Sequence, residues 1–253
     1  MMITELYFLL PLTFVAAMLN ASVGGGGLVL IPGMFTLFPS AEPATLFATE
    51  KCASVAGMAT AATQYARSIK LPWGLLLMTA GTAFCGAHLG ARAIANLPSA
   101  WIKPFVVVLL FVMLIYTWFR PDFGKQDADI PITRNDKVRG VLIGTAIGFY
   151  EGFFGPGAGS FLIFLFIRFF GFDFLHASAA SKVVNVATNL AALGYFVPNG
   201  FYIPLAALAM AIFNVLGSII GTHLALRHGS GFVRKVFLIV VSALIVKFAW
   251  DTF

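Results

Sequence analysis

Charge is what this sequence lacks. Only 10% of its residues are Asp, Glu, Lys or Arg, where a soluble domain carries about 25%. That is too little to clothe a water-facing surface, and it excludes an ordinary soluble fold. Cysteine is scarce as well. Cys52 and Cys85 both fall inside apolar runs, without metal-ligand spacing and without a disulfide framework. Both are expected to be buried thiols behaving as small hydrophobes. The four histidines, His88, His176, His223 and His228, show no ligand spacing, so neither a metal nor another cofactor is expected. No G-x-S-x-G, H-E-x-x-H or Walker sequence occurs, and nothing supports an integral enzyme or an ATP-driven pump. The N-terminus, MMITELYF, contains Glu5 but no Lys or Arg. It lacks the basic region of a cleaved signal, and its apolar run is expected to stay.

What the chain has is apolar length. It is 60% hydrophobic with a mean hydropathy of +0.93. Apolar stretches fall at 6–38, 44–66, 71–96, 100–119, 139–170, 175–197, 201–226 and 232–250. The solvent for such a chain is a bilayer. The net charge of +6 sits mainly in short loops, as the positive-inside rule expects, with no basic tract suited to nucleic acid. One connection is polar, RPDFGKQDADIPITRNDKVR at 120–139. It divides the chain into an N-terminal half (1–119), a linker (120–138) and a C-terminal half (139–253).

The halves repeat at an offset of 131 positions. Lys51 superposes on Lys182, Gly24 on Gly155, Gly26 on Gly157, Phe35 on Phe166, Gly86 on Gly217 and Gly90 on Gly221. Apolar matches could arise by chance in so apolar a chain, but glycines and lysines in one register do not readily do so. Internal repeats are a recurring design of secondary transporters.

The stretches 6–38 and 139–170 are each just over thirty residues long. As helix that is roughly 48 Å, too long for one crossing of a core of about 30 Å and too short for two. Glycines break each stretch, at NASVGGGG and at EGFFGPGAGS. The reading is a re-entrant hairpin of two half-helices in each half, followed by three transmembrane helices. An odd number of crossings would make the two halves inverted repeats of an all-α integral membrane protein. Charge agrees with inversion: Arg67, Lys70, Arg120, Lys125, Arg134, Lys137, Arg139, Arg227, Arg234 and Lys235 then share one face, and both termini are expected to be periplasmic.

Chemistry is expected at the two breaks and the two lysines. Glycines can simply allow close helix packing. At equivalent places in a repeat they also suit a binding site, where bare backbone N–H groups and the positive end of a helix dipole meet an anion. The residues concerned are Gly24, Gly25, Gly26 and Gly27, and then Gly155, Pro156, Gly157, Ala158, Gly159 and Ser160. Lys51 and Lys182 each lie about seven residues into an apolar run. Such a group either snorkels to the interface or serves a function at depth. Lys182, Asn185 and Asn189 share one helical stripe, and Lys51 and Ser54 repeat its start. Asn20 and Glu151 occupy equivalent positions just before the breaks. Glu151 is expected either to balance Lys182 or to carry a proton during transport. Glu50 adjoins Lys51, but neighbours on a helix point apart, and the two are not expected to pair.

The sequences GGGGLVLIP, ATEK, GFYEGFFGPGAGSF and ASAASKVVN resemble the TauE/SafE sulfite exporter family, in particular its YfcA-like bacterial members, over essentially the whole chain. The resemblance implies a bacterial inner-membrane transporter of two related halves, handling sulfite, thiosulfate or an organosulfonate such as sulfoacetate. The expectation is therefore a secondary transporter of a small anion, surrounded by lipid, with a homodimer as an open assembly state. The alternatives are an importer or channel for another anion or a neutral sulfur compound, and a membrane scaffold that transports nothing.

Overall fold

A computed structural model describes residues 2–95 and 133–252 of the 253-residue chain. Among the described residues it forms eight helices and no strand. They are α1 (Met2–Val23), α2 (Gly26–Leu37), α3 (Pro43–Ser68), α4 (Trp73–Ile94), α5 (Arg134–Phe153), α6 (Ala158–Phe170), α7 (Phe174–Phe196) and α8 (Pro204–Thr252). Helix α8 is interrupted at Gly229, whose φ of 68° is non-helical. The apolar stretch 100–119 and the linker as far as residue 132 lie outside the described residues. The rest of the linker does not stay irregular: α5 begins at Arg134. The Thr133 side chain accepts from the Asp136 amide while Asp136 accepts from the Thr133 amide. This reciprocal cap starts a helix inside a stretch that its charges made look like a loop.

The broken stretches form as unequal arms rather than as pairs of half-helices. The first arms, α1 and α5, have 22 and 20 residues, and the second arms, α2 and α6, have 12 and 13. At 1.5 Å per residue, the first arms reach roughly 30 Å and the second arms roughly 18–20 Å. Gly24 and Gly155 make the turns, with φ of 79° and 95°. Only glycine takes such values without strain. The glycine pattern located the breaks, but the arm lengths depend on where the chain turns within each stretch.

The packing repeats as the sequence does. Gly86 and Gly90 on α4 press against the backbone of Thr145 and Phe149 on α5. Gly217 and Gly221 on α8 press against Phe14 and Met18 on α1. Each member of the second set lies 131 positions from its partner in the first. Helix α4 of the N-terminal half thus packs on the first helix of the C-terminal half, and α8 on the first helix of the N-terminal half, through small residues that let backbones touch.

The helices α1, α4, α5 and α8 turn large apolar side chains outward, among them Phe8, Leu77, Leu89, Leu142, Leu208 and Ile212. A contiguous exposed surface of this kind suits lipid. Three described segments are long and apolar enough to cross a membrane: Glu5–Val23, Trp73–Ile94 and Pro204–Val236. Helices α3 and α7 are long enough but more polar, and they pack against each other and against α4 and α8. Enclosure by protein is what allows them their Ser, Thr, Asn and Lys side chains. The cysteines depart from expectation. Both are free, Cys52 is half-buried and Cys85 is exposed, because Cys85 lies on the outward side of α4, where lipid rather than protein would cover it.

Candidate functional site

The two breaks meet. Gly24 touches the backbone of Gly159 and Ser160, and Gly27 lies against Pro156. No Cβ would fit at Gly24, because it would fall on the Gly159 carbonyl carbon. Helix α1 ends at this contact, and its last turn leaves four carbonyls without a helical partner. All four are satisfied. The Asn20 carbonyl accepts from the Gly24 amide at 3.0 Å and the Ala21 carbonyl from the Tyr65 hydroxyl at 3.0 Å. The Ser22 carbonyl accepts from Ser178 Oγ at 2.7 Å and the Val23 carbonyl from Ser160 Oγ at 3.1 Å. Apart from the Gly24 amide, the donors come from α3, α6 and α7, so the first break is clamped by three other helices. At the second break the Tyr150 hydroxyl donates to the Pro156 carbonyl at 2.6 Å. The short helices α2 and α6 start here, and neither has a side-chain N-cap.

Lys51 and Lys182 occupy the ninth positions of α3 and α7, roughly 12 Å along each axis. Neither snorkels: their exposures are 1% and 0%. They differ in what they meet. Lys51 Nζ lies beside Gly155 and donates to Glu151 Oε1 at 3.2 Å. Glu151 therefore pairs with Lys51 of the other half. The expected balance between Glu151 and Lys182 does not form as an ion pair, although the two are within electrostatic reach. Lys182 Nζ is buried with no hydrogen-bond partner among the described residues, and so is Asn185 Oδ1 one turn further on.

Ser54 and Asn189 join the two lysine helices. Ser54 Oγ donates to Asn189 Oδ1 at 3.4 Å. The Asn189 amide nitrogen faces Glu151 Oε1 at 3.4 Å, the Met58 sulfur at 3.5 Å and the Asn185 carbonyl at 2.7 Å.

Between these groups lies a cavity of about 20 Å³. It is bounded by Asn20, Gly24 and Gly27 from the first broken stretch and by Glu151, Gly155, Pro156, Gly157 and Gly159 from the second. Asn185, Met58 and Glu50 complete the wall. That space holds about one water, so a larger solute needs the breaks to part. Of the residues expected from the sequence, the structure brings Asn20, Gly24, Gly27, Glu151, Gly155, Pro156, Gly157, Gly159 and Asn185 to one cavity. Lys51, Lys182, Ser54 and Asn189 stand behind its wall. Gly25 and Gly26 sit at the start of α2, Gly26 against the Ala16 carbonyl. Ala158 is buried in the first turn of α6, and the Ser160 hydroxyl is committed to Val23.

Two lining residues lie outside the set expected from sequence. Met58 carries no polar signal. Among the described residues Glu50 makes no ion pair with Lys51, whose partner is Glu151. It is still within electrostatic reach of both Lys51 and Glu151. The signal that could have found Glu50 is its presence in an apolar run, which is costly without a function.

Comparison with known proteins agrees with this architecture. The family model described as sulfite exporter TauE/SafE matches residues 9–248. The probable membrane transporter protein ORF9 of Sinorhizobium sp is 31% identical over 97% of this chain and 93% of its own length. A probable membrane transporter protein of Haemophilus influenzae is 28% identical over 94% and 92%. The probable membrane transporter protein YfcA of Escherichia coli K12 is 28% identical over 96% and 91%. No solved structure gives a significant match. With the match running through both breaks and both lysine helices, the chain belongs to the sulfite exporter TauE/SafE family.

Proposed function

We propose that this membrane transporter is a secondary carrier of a small anion, a sulfur oxyanion or organosulfonate such as sulfite, thiosulfate or sulfoacetate. In this reading the halves are inverted repeats in a bacterial inner membrane, with both termini periplasmic. The anion binds where the two breaks meet, and the breaks part alternately toward either side. Recurrence of the α4–α5 and α8–α1 packing at one offset supports a two-fold exchange of the halves. Inversion itself rests on the charge distribution of the loops.

The observation that carries the reading is Lys182. An ammonium wholly enclosed by protein, without a hydrogen-bond partner and one turn from an equally unpartnered amide oxygen, is expensive to keep without a purpose. An oxyanion would supply what it lacks, and the starts of α2 and α6, without side-chain caps, offer further N–H groups where the breaks meet. The test is counterflow in proteoliposomes across sulfite, thiosulfate, sulfate, sulfoacetate and a neutral thiol. Sulfur anions should exchange, and Lys182→Ala should abolish their exchange. If none of the anions exchanges, the reading is wrong.

A second reading is favoured by one observation. The carboxylates of Glu50 and Glu151 border the cavity, while the ammonium groups stand behind it and Lys51 is already paired. Within the alternative of an importer or channel, that arrangement suits a neutral sulfur compound better than an anion. Exchange of the thiol alone would select it.

A further inference from the structure

We propose that Glu50 is the proton-binding group of the transport cycle: it takes up a proton as an anion enters the cavity and releases it on the other face. This rests on the anion-carrier reading above.

An anion entering the cavity meets two carboxyl groups in its wall, Glu50 from α3 and Glu151 from α5. The ionisable groups within reach of Glu50 are Lys51 and the Cys52 thiol on its own helix and Glu151 on α5, and Glu151 is in turn within reach of Lys182 on α7. Where α8 meets α3 at Gly57 it brings Asn214 and Ser218, and α1 brings Asn20 to the cavity. Fully ionised, this enclosed group holds two ammonium ions and two carboxylates and is neutral. Adding an anion to a neutral, enclosed site leaves an uncompensated charge in a medium that screens poorly. A proton arriving with the anion removes one unit of that excess, whichever group receives it.

The two carboxyls are not equal candidates. Glu151 accepts from Lys51 and faces the Asn189 amide through the same Oε1, so it is already engaged with the frame. Glu50 has no ion pair among the described residues and stands in the cavity wall. It can therefore exchange a proton with water that enters when the breaks part. Its place in the repeat adds a second reason. The equivalent position in the other half is Ser181, whose hydroxyl donates to the Ser178 carbonyl at 2.7 Å. Glu50 is thus an extra carboxyl in one half only, not part of the frame shared by both. No covalent step is involved. The proton adds to a carboxylate oxygen from water on one side and leaves to water on the other, and the anion crosses as its proton-paired equivalent.

The test is calorimetric binding of thiosulfate and sulfoacetate to the purified full chain over a range of pH. Both probes keep a fixed charge around neutrality. In the wild type, affinity should rise by about tenfold for each unit that pH falls, until Glu50 is fully protonated. Glutamine mimics the protonated acid, so Glu50→Gln should bind at every pH as tightly as the acidified wild type. Proteoliposomes give the matching flux: anion uptake should alkalinise the outside in the wild type, and the proton-to-anion ratio should fall to zero in the variant. Three results overturn the inference while leaving the carrier reading intact: pH-independent binding by the wild type, retained pH dependence in Glu50→Gln, or loss of binding in that variant. If the wild type binds and moves neither probe, and no anion of the counterflow panel exchanges, the carrier reading falls and this inference with it.

Discussion

Asn20 and Glu151 stand 131 positions apart, at the same place in the two repeats, and both border the cavity, but only one of them carries a charge. This difference explains the lysines. Glu151 reaches across to Lys51 in the other half. The equivalent partner for Lys182 would be Asn20, which offers no carboxylate. The repeat is therefore symmetric in its backbone and its breaks but asymmetric in charge. One ammonium belongs to the frame and the other remains available.

That division predicts opposite phenotypes for the two lysines. Lys182→Met replaces an unpartnered buried ammonium with an apolar chain of similar length. The folded protein loses no hydrogen bond, so its thermal midpoint in detergent should stay level or rise. Transport of the sulfur anion should fall roughly tenfold or more, the scale of one lost charge-assisted contact. Melting curves and counterflow on one preparation decide it. A variant that melts early and transports normally would make Lys182 structural.

Lys51 should behave the other way round. Glu151→Gln leaves the Lys51 ammonium enclosed and unpaired, which costs about 3–5 kcal/mol for a buried pair. Removing both charges in a Lys51→Gln, Glu151→Gln double variant should recover most of that loss. A double-mutant cycle by chemical denaturation measures the recovery. Simple addition of the two single effects would show that the 3.2 Å contact contributes no coupling.

The sequence made the breaks and lysines legible because each violates its surroundings: glycine runs where a helix should continue, and cations where lipid-like side chains prevail. The 131-residue register then showed that Gly24 and Gly155, and Lys51 and Lys182, belong together. Partnership was not legible. Whether Glu151 meets Lys51 or Lys182 depends on how the halves interlock, and that is set by Gly86, Gly90, Gly217 and Gly221 packing across the halves. Helical periodicity placed Ser54 and Asn189 on the right faces but could not show that they bind each other. Glu50 was lost to a rule about pairs on one helix, which says nothing about whether a residue borders a cavity.

The glycines give a steric prediction with its own control. Gly24→Ala would force a residue with a Cβ into φ 79° and drive that atom into the Gly159 backbone. Gly155→Ala would do the same at φ 95°, toward Lys51 Nζ. Both should yield little folded protein, or protein without transport, because the contact between the breaks cannot close. Gly194, within α7, has open space where an alanine Cβ would stand, with nothing within 4 Å. Gly194→Ala should therefore be neutral or stabilising by up to about 1 kcal/mol, the helix preference of alanine. Fluorescence size-exclusion and melting of the three variants check this. Equal behaviour of Gly24→Ala and Gly194→Ala would remove the steric argument.

A last prediction concerns acid and the start of α7. Asp173 caps that helix, accepting from the His176 amide at 2.7 Å and facing the His176 ring at 2.9 Å. Partial burial favours its neutral form, but the amide and ring contacts outweigh this and hold the carboxyl below its ordinary value. A carboxyl with a depressed folded-state value stabilises the protein above the unfolded value, about 3.9. That contribution fades as pH falls through the lower folded value. Asparagine caps a helix about as well as aspartate, so Asp173→Asn isolates the charge. The variant should melt below the wild type at neutral pH, and the gap should close as the medium is acidified past about pH 4. Asp173→Ala should add the loss of the cap itself, about 1 kcal/mol, at every pH. Because the cap fixes the first turn of the helix that carries Lys182, both variants should also slow transport in proportion to their lost stability. A gap between wild type and Asp173→Asn that widened toward acid would reverse the sign and assign the stability to the histidine instead.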